Sequence, residues 1–91
     1  MIQIKNEVTL SDLDQCIGYW TDTEGYIREK WTLKSGKTFI IAQHRRVYWQ
    51  HLGKRLPAKI EIHHIDGNPS NNRLSNLKPV IRDLHNTYHY G

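Results

Sequence analysis

Cysteine is scarce and long apolar runs are absent in this chain of 91 residues, and each of these features excludes a class of protein. A single cysteine, Cys16, cannot form an intrachain disulfide and favours a reducing compartment. No run of about eighteen apolar residues is present, so we expect neither a membrane-spanning helix nor a membrane partner. Residues 1–7 lack the apolar stretch of a signal peptide, so we expect a soluble, cytoplasmic protein.

The charge balance points to a polyanionic partner. Lysine and arginine number 13 against 9 acidic residues, a formal net charge of +4. Basic side chains release counterions when they contact phosphates, so a nucleic acid is the polyanion that this charge favours most. The length suits one domain with one small core, residues 1–91, and we expect a monomer or a weak homodimer.

The first part of the chain, residues 1–58, reads as a β-hairpin followed by a helix. Residues 26–33 and 38–42 are rich in aromatic and β-branched side chains and are separated by a short polar loop, which is typical of a hairpin. Residues 43–52 change to helical spacing, and Gly53 is a natural stop. The same spacing puts Trp49 on the arginine side of the helix, where it is a candidate for stacking on DNA bases.

The second part, residues 59–91, predicts an extended segment, a polar loop and a closing helix. Residues 59–63 are extended, residues 66–72 are rich in turn formers, and residues 80–90 form the helix. The fold class is therefore α+β, a small single domain in which the hairpin and helix precede a ββα unit.

Four of the 6 histidines fall within this second part. His63 and His64 are adjacent at the end of the extended segment, whereas His85 and His89 are spaced i and i+4, one helical turn apart. Imidazole is the commonest transition-metal ligand and is suited to proton transfer near neutral pH. In a regular strand His63 and His64 point to opposite faces, so both serve one site only if the strand ends there.

At these residues the sequence resembles the HNH endonucleases, whose fold is the ββα-metal finger. The resemblance rests on Ile62-His63-His64-Ile65-Asp66-Gly67-Asn68 and Asn71-Asn72-Arg73-Leu74-Ser75-Asn76-Leu77, and it is strongest to the phage and intron-encoded, homing-type branch. A looser similarity covers Gly18-Tyr19-Trp20, the hairpin and His44-Arg45-Arg46-Val47-Tyr48. A phage-encoded enzyme acting in the host cytoplasm is what this branch implies.

The resemblance implies a role for each matching position. His64 matches the general base that activates water, and Asn76 matches the asparagine that ties the loop backbone and thereby orients the base. His63 and His85 occupy metal-ligand positions, and His89 matches a further histidine found in the bacterial-toxin branch.

One divalent metal ion is expected, because no cluster of carboxylates is present to hold two. It would act as a Lewis acid during phosphodiester hydrolysis. Mg²⁺ or Mn²⁺ is expected to support activity, and the imidazole-rich ligands make Zn²⁺ a further candidate.

The expected DNA contacts are basic side chains around the helix and the loop. They are Arg45, Arg46, Lys54, Arg55 and Arg73, with Arg28, Lys30, Lys34 and Lys37 on the hairpin. Nothing in the sequence resembles a groove-reading module, so we expect weak sequence specificity, with nicking and double-strand cleavage both open.

Two other kinds of protein remain open. A structural zinc module would need a closed four-ligand shell and would leave no base, which the adjacent His63 and His64 disfavour. A non-catalytic DNA-binding protein with a structural metal site would keep the basic surface and lose cleavage.

Overall fold

The computed structural model describes residues 8–81, which form two small antiparallel sheets and one helix between them. The strands are β1 (Leu13–Thr21), β2 (Ile27–Leu33), β3 (Thr38–Ala42), β4 (Ile60–His64) and β5 (Leu77–Ile81), and the helix α1 spans Gln43–Leu52. Two short 3₁₀ turns, Leu10–Asp12 and Leu74–Asn76, precede β1 and β5. The α+β class is thus seen in the described part of the chain.

The first sheet has the strand order β1-β2-β3. The predicted hairpin is its β2–β3 pair, with Trp31 opposite Phe39 and Arg28 opposite Ala42. The predicted hairpin did not include β1, a strand of nine residues that pairs with β2 and carries two register shifts. Most of β1 is exposed, so the alternation of apolar and polar residues that marks a half-buried strand is weak there.

Helix α1 has the predicted bounds and ends where glycine allows it. Gly53 adopts the left-handed conformation at φ 80° and donates its backbone N–H to the carbonyl of Trp49. Trp49 itself is only 2% exposed and packs with Ile41, Leu56 and other apolar side chains of the core. It is therefore a core residue, and the prediction that it faces DNA bases is wrong.

The second sheet pairs β4 with β5 and places the polar loop between them. Ile62 lies opposite Pro79, and His64 lies opposite Leu77 at the loop end of the hairpin. Ile62 and Leu77 are buried in the same core as Trp49, so this hairpin packs against α1 and the first sheet. The loop end of β4 is consequently held close to the start of α1.

The predicted closing helix lies largely outside the described residues. Its first two residues, Val80 and Ile81, belong to β5 and are exposed. Two strands of the expected ββα unit are therefore present, and the rest of the predicted helix, with His85 and His89, lies outside the described residues. Within residues 8–81 no helix is both long and apolar enough to cross a membrane.

Candidate functional site

His64 is the last residue of β4 and is 7% exposed. Its side chain points to the same face as Ile62, because residues two apart in a strand share a face. The carbonyl of His64 accepts the backbone N–H of Gly67, so the chain turns immediately after the strand. Gly67 has φ 80°, a conformation that glycine adopts without strain.

His63 lies on the opposite, exposed face of β4, together with Glu61. Both histidines nevertheless line one open groove of about 330 Å³, because the strand ends at His64 and the loop folds back. Tyr26, Gly67, Pro69 and other residues complete its walls. The groove brings the two adjacent histidines to one space, although a regular strand would separate them.

Asn76 ties the loop between the two strands together. Its Oδ1 accepts the backbone N–H of Asp66 at 3.0 Å, and its Nδ2 donates to Asp66 Oδ1 at 3.0 Å and to the carbonyl of Asn71 at 2.9 Å. Its own carbonyl accepts the N–H of Ile65, the residue directly after His64. Asn76 is 8% exposed and contacts the loop rather than the imidazole of His64.

The carboxylate of Asp66 is, with Asn76, the second side chain that holds the loop together. Hydrogen bonds from the side chain of Asn71, from the backbone N–H of Asn68 and from the side chain of Asn76 hold the pKa of Asp66 below its usual value. An ionised carboxylate accepts all three at once, so the loop is built around a charge.

The imidazole of His64 touches Asn72, which sequence analysis left as an ordinary turn former. His64 Nε2 lies 2.7 Å from Asn72 Oδ1, and Asn72 Nδ2 donates to Gln43 Oε1 at 2.9 Å. Gln43 Nε2 in turn donates to Glu29 Oε2 at 2.9 Å. A chain of side chains therefore links β2, the start of α1 and the loop to the end of β4.

Glu29 is 2% exposed and anchors the far end of that chain. Arg46 donates to both of its carboxylate oxygens, at 2.9 and 2.6 Å, and Trp31 Nε1 donates at 2.8 Å. Burial acts to raise the pKa of Glu29, but the hydrogen bonds from Arg46, Trp31 and Gln43 outweigh it and hold this pKa below its usual value. Glu29 is thus an ionised, fully hydrogen-bonded acceptor.

A second imidazole, His44, packs against the first. The ring of His44 meets that of His64 edge-on, with centroids 5.0 Å apart, and the ring of Tyr26 lies 5.7 Å from His44 and 5.9 Å from His64. Burial, followed by the charges of His64, Arg45 and Arg28, lowers the pKa of His44 to about 4. His44 is therefore neutral at physiological pH, and its Nδ1 is buried without a hydrogen-bond partner in the described structure.

This neutral histidine has a measurable effect on stability. The unfolded chain binds a proton at His44 below about pH 6.5, whereas the folded chain does so only near pH 4. The free energy of unfolding should therefore rise with pH between these values, by about 2–3 kcal/mol after allowance for partial exposure of the ring. Urea denaturation from about pH 4 to 7 measures it, with His44→Leu as the comparison. An equal pH dependence in the variant would contradict the assignment.

The donor set for a metal ion is incomplete in the described residues. His63 and Glu61 line the groove from one face of β4, and an imidazole with a carboxylate suits a divalent transition ion. No three histidine, cysteine, aspartate or glutamate side chains converge within residues 8–81. The other predicted ligands, His85 and His89, lie outside these residues.

Several of the predicted DNA contacts have partners inside the protein. Arg46 is bound to Glu29 and Gln50. Arg45 donates to the carbonyls of Ile60 and Pro57, at 2.8 and 3.3 Å. These guanidinium groups join β2, α1 and the β4 hairpin, which makes them part of the scaffold.

The remaining predicted contacts differ in accessibility. Arg55 donates to the carbonyl of Val8 and lies over the ring of Trp49. Arg28 pairs with Asp22 at 3.1 Å. The exposed side chains are Lys30, Lys34, Lys37, Lys54 and Arg73. This exposed group is the part of the predicted DNA surface that a phosphate reaches without breaking an internal contact.

One protein family model matches part of the chain. Residues 42–82 match the family described as HNH endonuclease, a stretch that runs from the end of β3 through α1 to the β4–β5 hairpin. The match includes His64, Asn72 and Asn76, and it supports a nuclease and DNA-binding function for this part of the chain. Neither the curated proteins nor the solved structures gave a match.

Three residues of the site were missed in the sequence. Glu29, Gln43 and His44 touch the site only through tertiary contacts, since Glu29 is 35 residues before His64 in the sequence and reaches it through two amide side chains. The sequence held little signal for Glu29, because it stands between Arg28 and Lys30 in β2, and the need for a partner is evident only once its carboxylate is seen to be buried.

Proposed function

We propose that the chain is a metal-dependent DNA endonuclease that hydrolyses phosphodiester bonds with His64 as the general base. The observation that carries the proposal is the position of His64, which is buried at a strand end, held by Asn72 and open to a groove. A general base needs a fixed ring and one basic nitrogen that reaches water. Two observations support this role for His64: Asn72 holds the ring at Nε2, and the side chain lines the groove.

His63 and His85 are proposed to hold one divalent ion beside this base, with His89 as a further ligand. When bound, the ion would supply Lewis-acid stabilisation of charge on the phosphate and on the leaving oxygen. The exposure of His63 and its position along the same groove as His64 support this role. Mg²⁺ or Mn²⁺ is proposed for activity, and Zn²⁺ remains a candidate.

Double-stranded DNA is proposed to bind the exposed basic side chains. Arg73 follows the loop directly and Lys54 follows α1, and both are exposed. Their contacts would be to phosphates, which position a duplex without reading its sequence. Weak specificity follows, in keeping with a small enzyme of the homing or phage type that nicks or cuts DNA in the cytoplasm of a host.

Cleavage of supercoiled plasmid tests the proposal. The full chain should convert the plasmid to nicked or linear DNA with Mg²⁺, Mn²⁺ or Zn²⁺, and excess EDTA should stop the reaction. The ratio of nicked to linear product reports how many strands one binding event cuts. If the protein binds DNA and cuts it with none of the three ions, the non-catalytic alternative, a DNA-binding protein with a structural metal site, replaces the nuclease.

A further inference from the structure

Hydrogen bonds link the side chains of Glu29, Gln43, Asn72 and His64 in a row. The order of donors and acceptors along this row has only one possible direction. An ionised carboxylate accepts hydrogen bonds and cannot donate them. Gln43 must therefore turn its Nε2 toward Glu29, as observed at 2.9 Å, and its Oε1 away from it. Each amide has one accepting and one donating end, so the orientation of Gln43 determines the orientation of the next amide, that of Asn72.

The order of donors and acceptors extends from Gln43 through Asn72 to the imidazole of His64. Gln43 Oε1 can only accept, so the atom of Asn72 that faces it at 2.9 Å is the donating Nδ2. Asn72 then presents its Oδ1 to His64 at 2.7 Å. A neutral imidazole carries one N–H, and an oxygen acceptor at Nε2 requires the proton there. Nδ1 is left with the lone pair.

We propose that Glu29, Gln43 and Asn72 form a relay that fixes His64 in the tautomer with Nε2–H and makes Nδ1 the basic nitrogen. Gln43, Asn72 and Glu29 are then positioning residues, and Arg46 holds the charge that gives the relay its direction. The tautomer follows from the hydrogen bonds alone. Its value for cleavage rests on the proposed function.

The geometry explains why the relay begins so far from the site. Glu29 is 2% exposed and receives hydrogen bonds from three side chains, so solvent does not compete for its oxygens. Gln43 is the first residue of α1 and lies between the two sheets. A buried charge in the first sheet can therefore set the protonation of a ring in the second.

Nuclear magnetic resonance of the full ¹⁵N-labelled chain tests the relay without reference to cleavage. Long-range ¹H–¹⁵N correlations distinguish the protonated from the unprotonated ring nitrogen. At about pH 8, where imidazoles are ordinarily neutral, wild-type His64 should show a single tautomer with Nε2–H. An Nδ1–H tautomer in the wild type would overturn the proposal directly.

Glu29→Gln tests the direction of the relay from its far end. The new amide can donate to Gln43, so Gln43 and Asn72 can both reverse and offer a donor to His64 Nε2. We expect a substantial population of the Nδ1–H tautomer at His64, two side chains away from the change. Trp31→Phe is the matched control, since it also removes a hydrogen bond from Glu29 and leaves the charge in place. That control should keep the Nε2–H tautomer.

A second variant tests the relay in case Glu29→Gln does not fold. Gln43→Met keeps the length of the side chain and removes both polar ends, so Asn72 is free to turn over and the tautomers should mix. If His64 keeps pure Nε2–H in every folded variant of Glu29 and Gln43, the relay is refuted.

Cleavage kinetics separate the relay from the proposed function. A relay that matters for catalysis predicts that kcat in Glu29→Gln falls in proportion to the share of His64 that carries Nδ1–H, about 10-fold where that share reaches about nine tenths, with KM little changed. The tautomer shift without any wild-type cleavage would uphold the relay and contradict the nuclease. A tautomer shift with kcat unchanged would overturn the catalytic role of the relay.

Discussion

Replacement of His64 by alanine should reduce the rate of plasmid cleavage by about 10²- to 10⁴-fold, the usual contribution of a general base. The loss should appear in kcat, since His64 is 7% exposed within the site and is not part of the exposed basic surface that would bind DNA. Single-turnover cleavage with enzyme in excess measures the chemical step directly.

The design of this experiment must separate chemistry from folding. His51→Ala is the matched control, because His51 is an exposed histidine on α1 whose ring contacts Tyr48 and not the site. It should leave the rate unchanged. Added imidazole should restore part of the activity of His64→Ala by entering the space that the ring leaves. If His64→Ala folds and cuts as fast as the wild type, His64 is not the base.

Local patterns in the sequence predicted much of the fold. The hairpin of β2 and β3, helix α1 with its stop at Gly53, and the extended segment before the loop all lie where the periodicity and the turn residues put them. Each of these elements is specified by neighbours in the chain, through side-chain alternation, helical spacing and the conformational freedom of glycine.

The parts that could not be predicted depend on tertiary contacts. Trp49 shares a helix side with two arginines, but its packing with Ile41, Leu56, Ile62 and Leu77 makes that side part of the core. Likewise, Arg46 looks like a phosphate contact until Glu29 is found beside it. In both cases the contacting side chains lie outside α1, so spacing within α1 holds no information about them.

The residues of the site fall into the same two groups, those that a local motif identifies and those that depend on tertiary contacts. His63, His64 and Asn76 lie within one short motif and were identified by residue order, whereas the ring contact with His44 and the relay through Asn72 depend on how the two sheets meet. The resemblance implied that Asn76 ties the loop backbone and thereby orients the base. In the structure Asn76 holds the loop, and the atom that touches the base belongs to Asn72.

Replacement of Asn76 by alanine should consequently destabilise the protein and inactivate the site together. The substitution removes three hydrogen bonds from a residue 8% exposed and leaves the N–H of Asp66 and the carbonyl of Asn71 without that partner. At about 1 kcal/mol for each lost hydrogen bond, the free energy of unfolding should fall by about 2–4 kcal/mol. Urea denaturation measures this change.

The loss of activity should exceed what unfolding explains, because the loop that Asn76 holds also carries Asn72. Released loop residues would let Asn72 leave His64, so single-turnover cleavage should fall by about 10²-fold even when the variant is fully folded. Asn68→Ala is the matched control, since Asn68 is an exposed loop asparagine whose side chain accepts only the N–H of Ser70. Asn76→Asp keeps the acceptor for Asp66 N–H but sets a second carboxylate against Asp66, so it should rescue little. Full activity in a folded Asn76→Ala protein would show that the base is held without this loop.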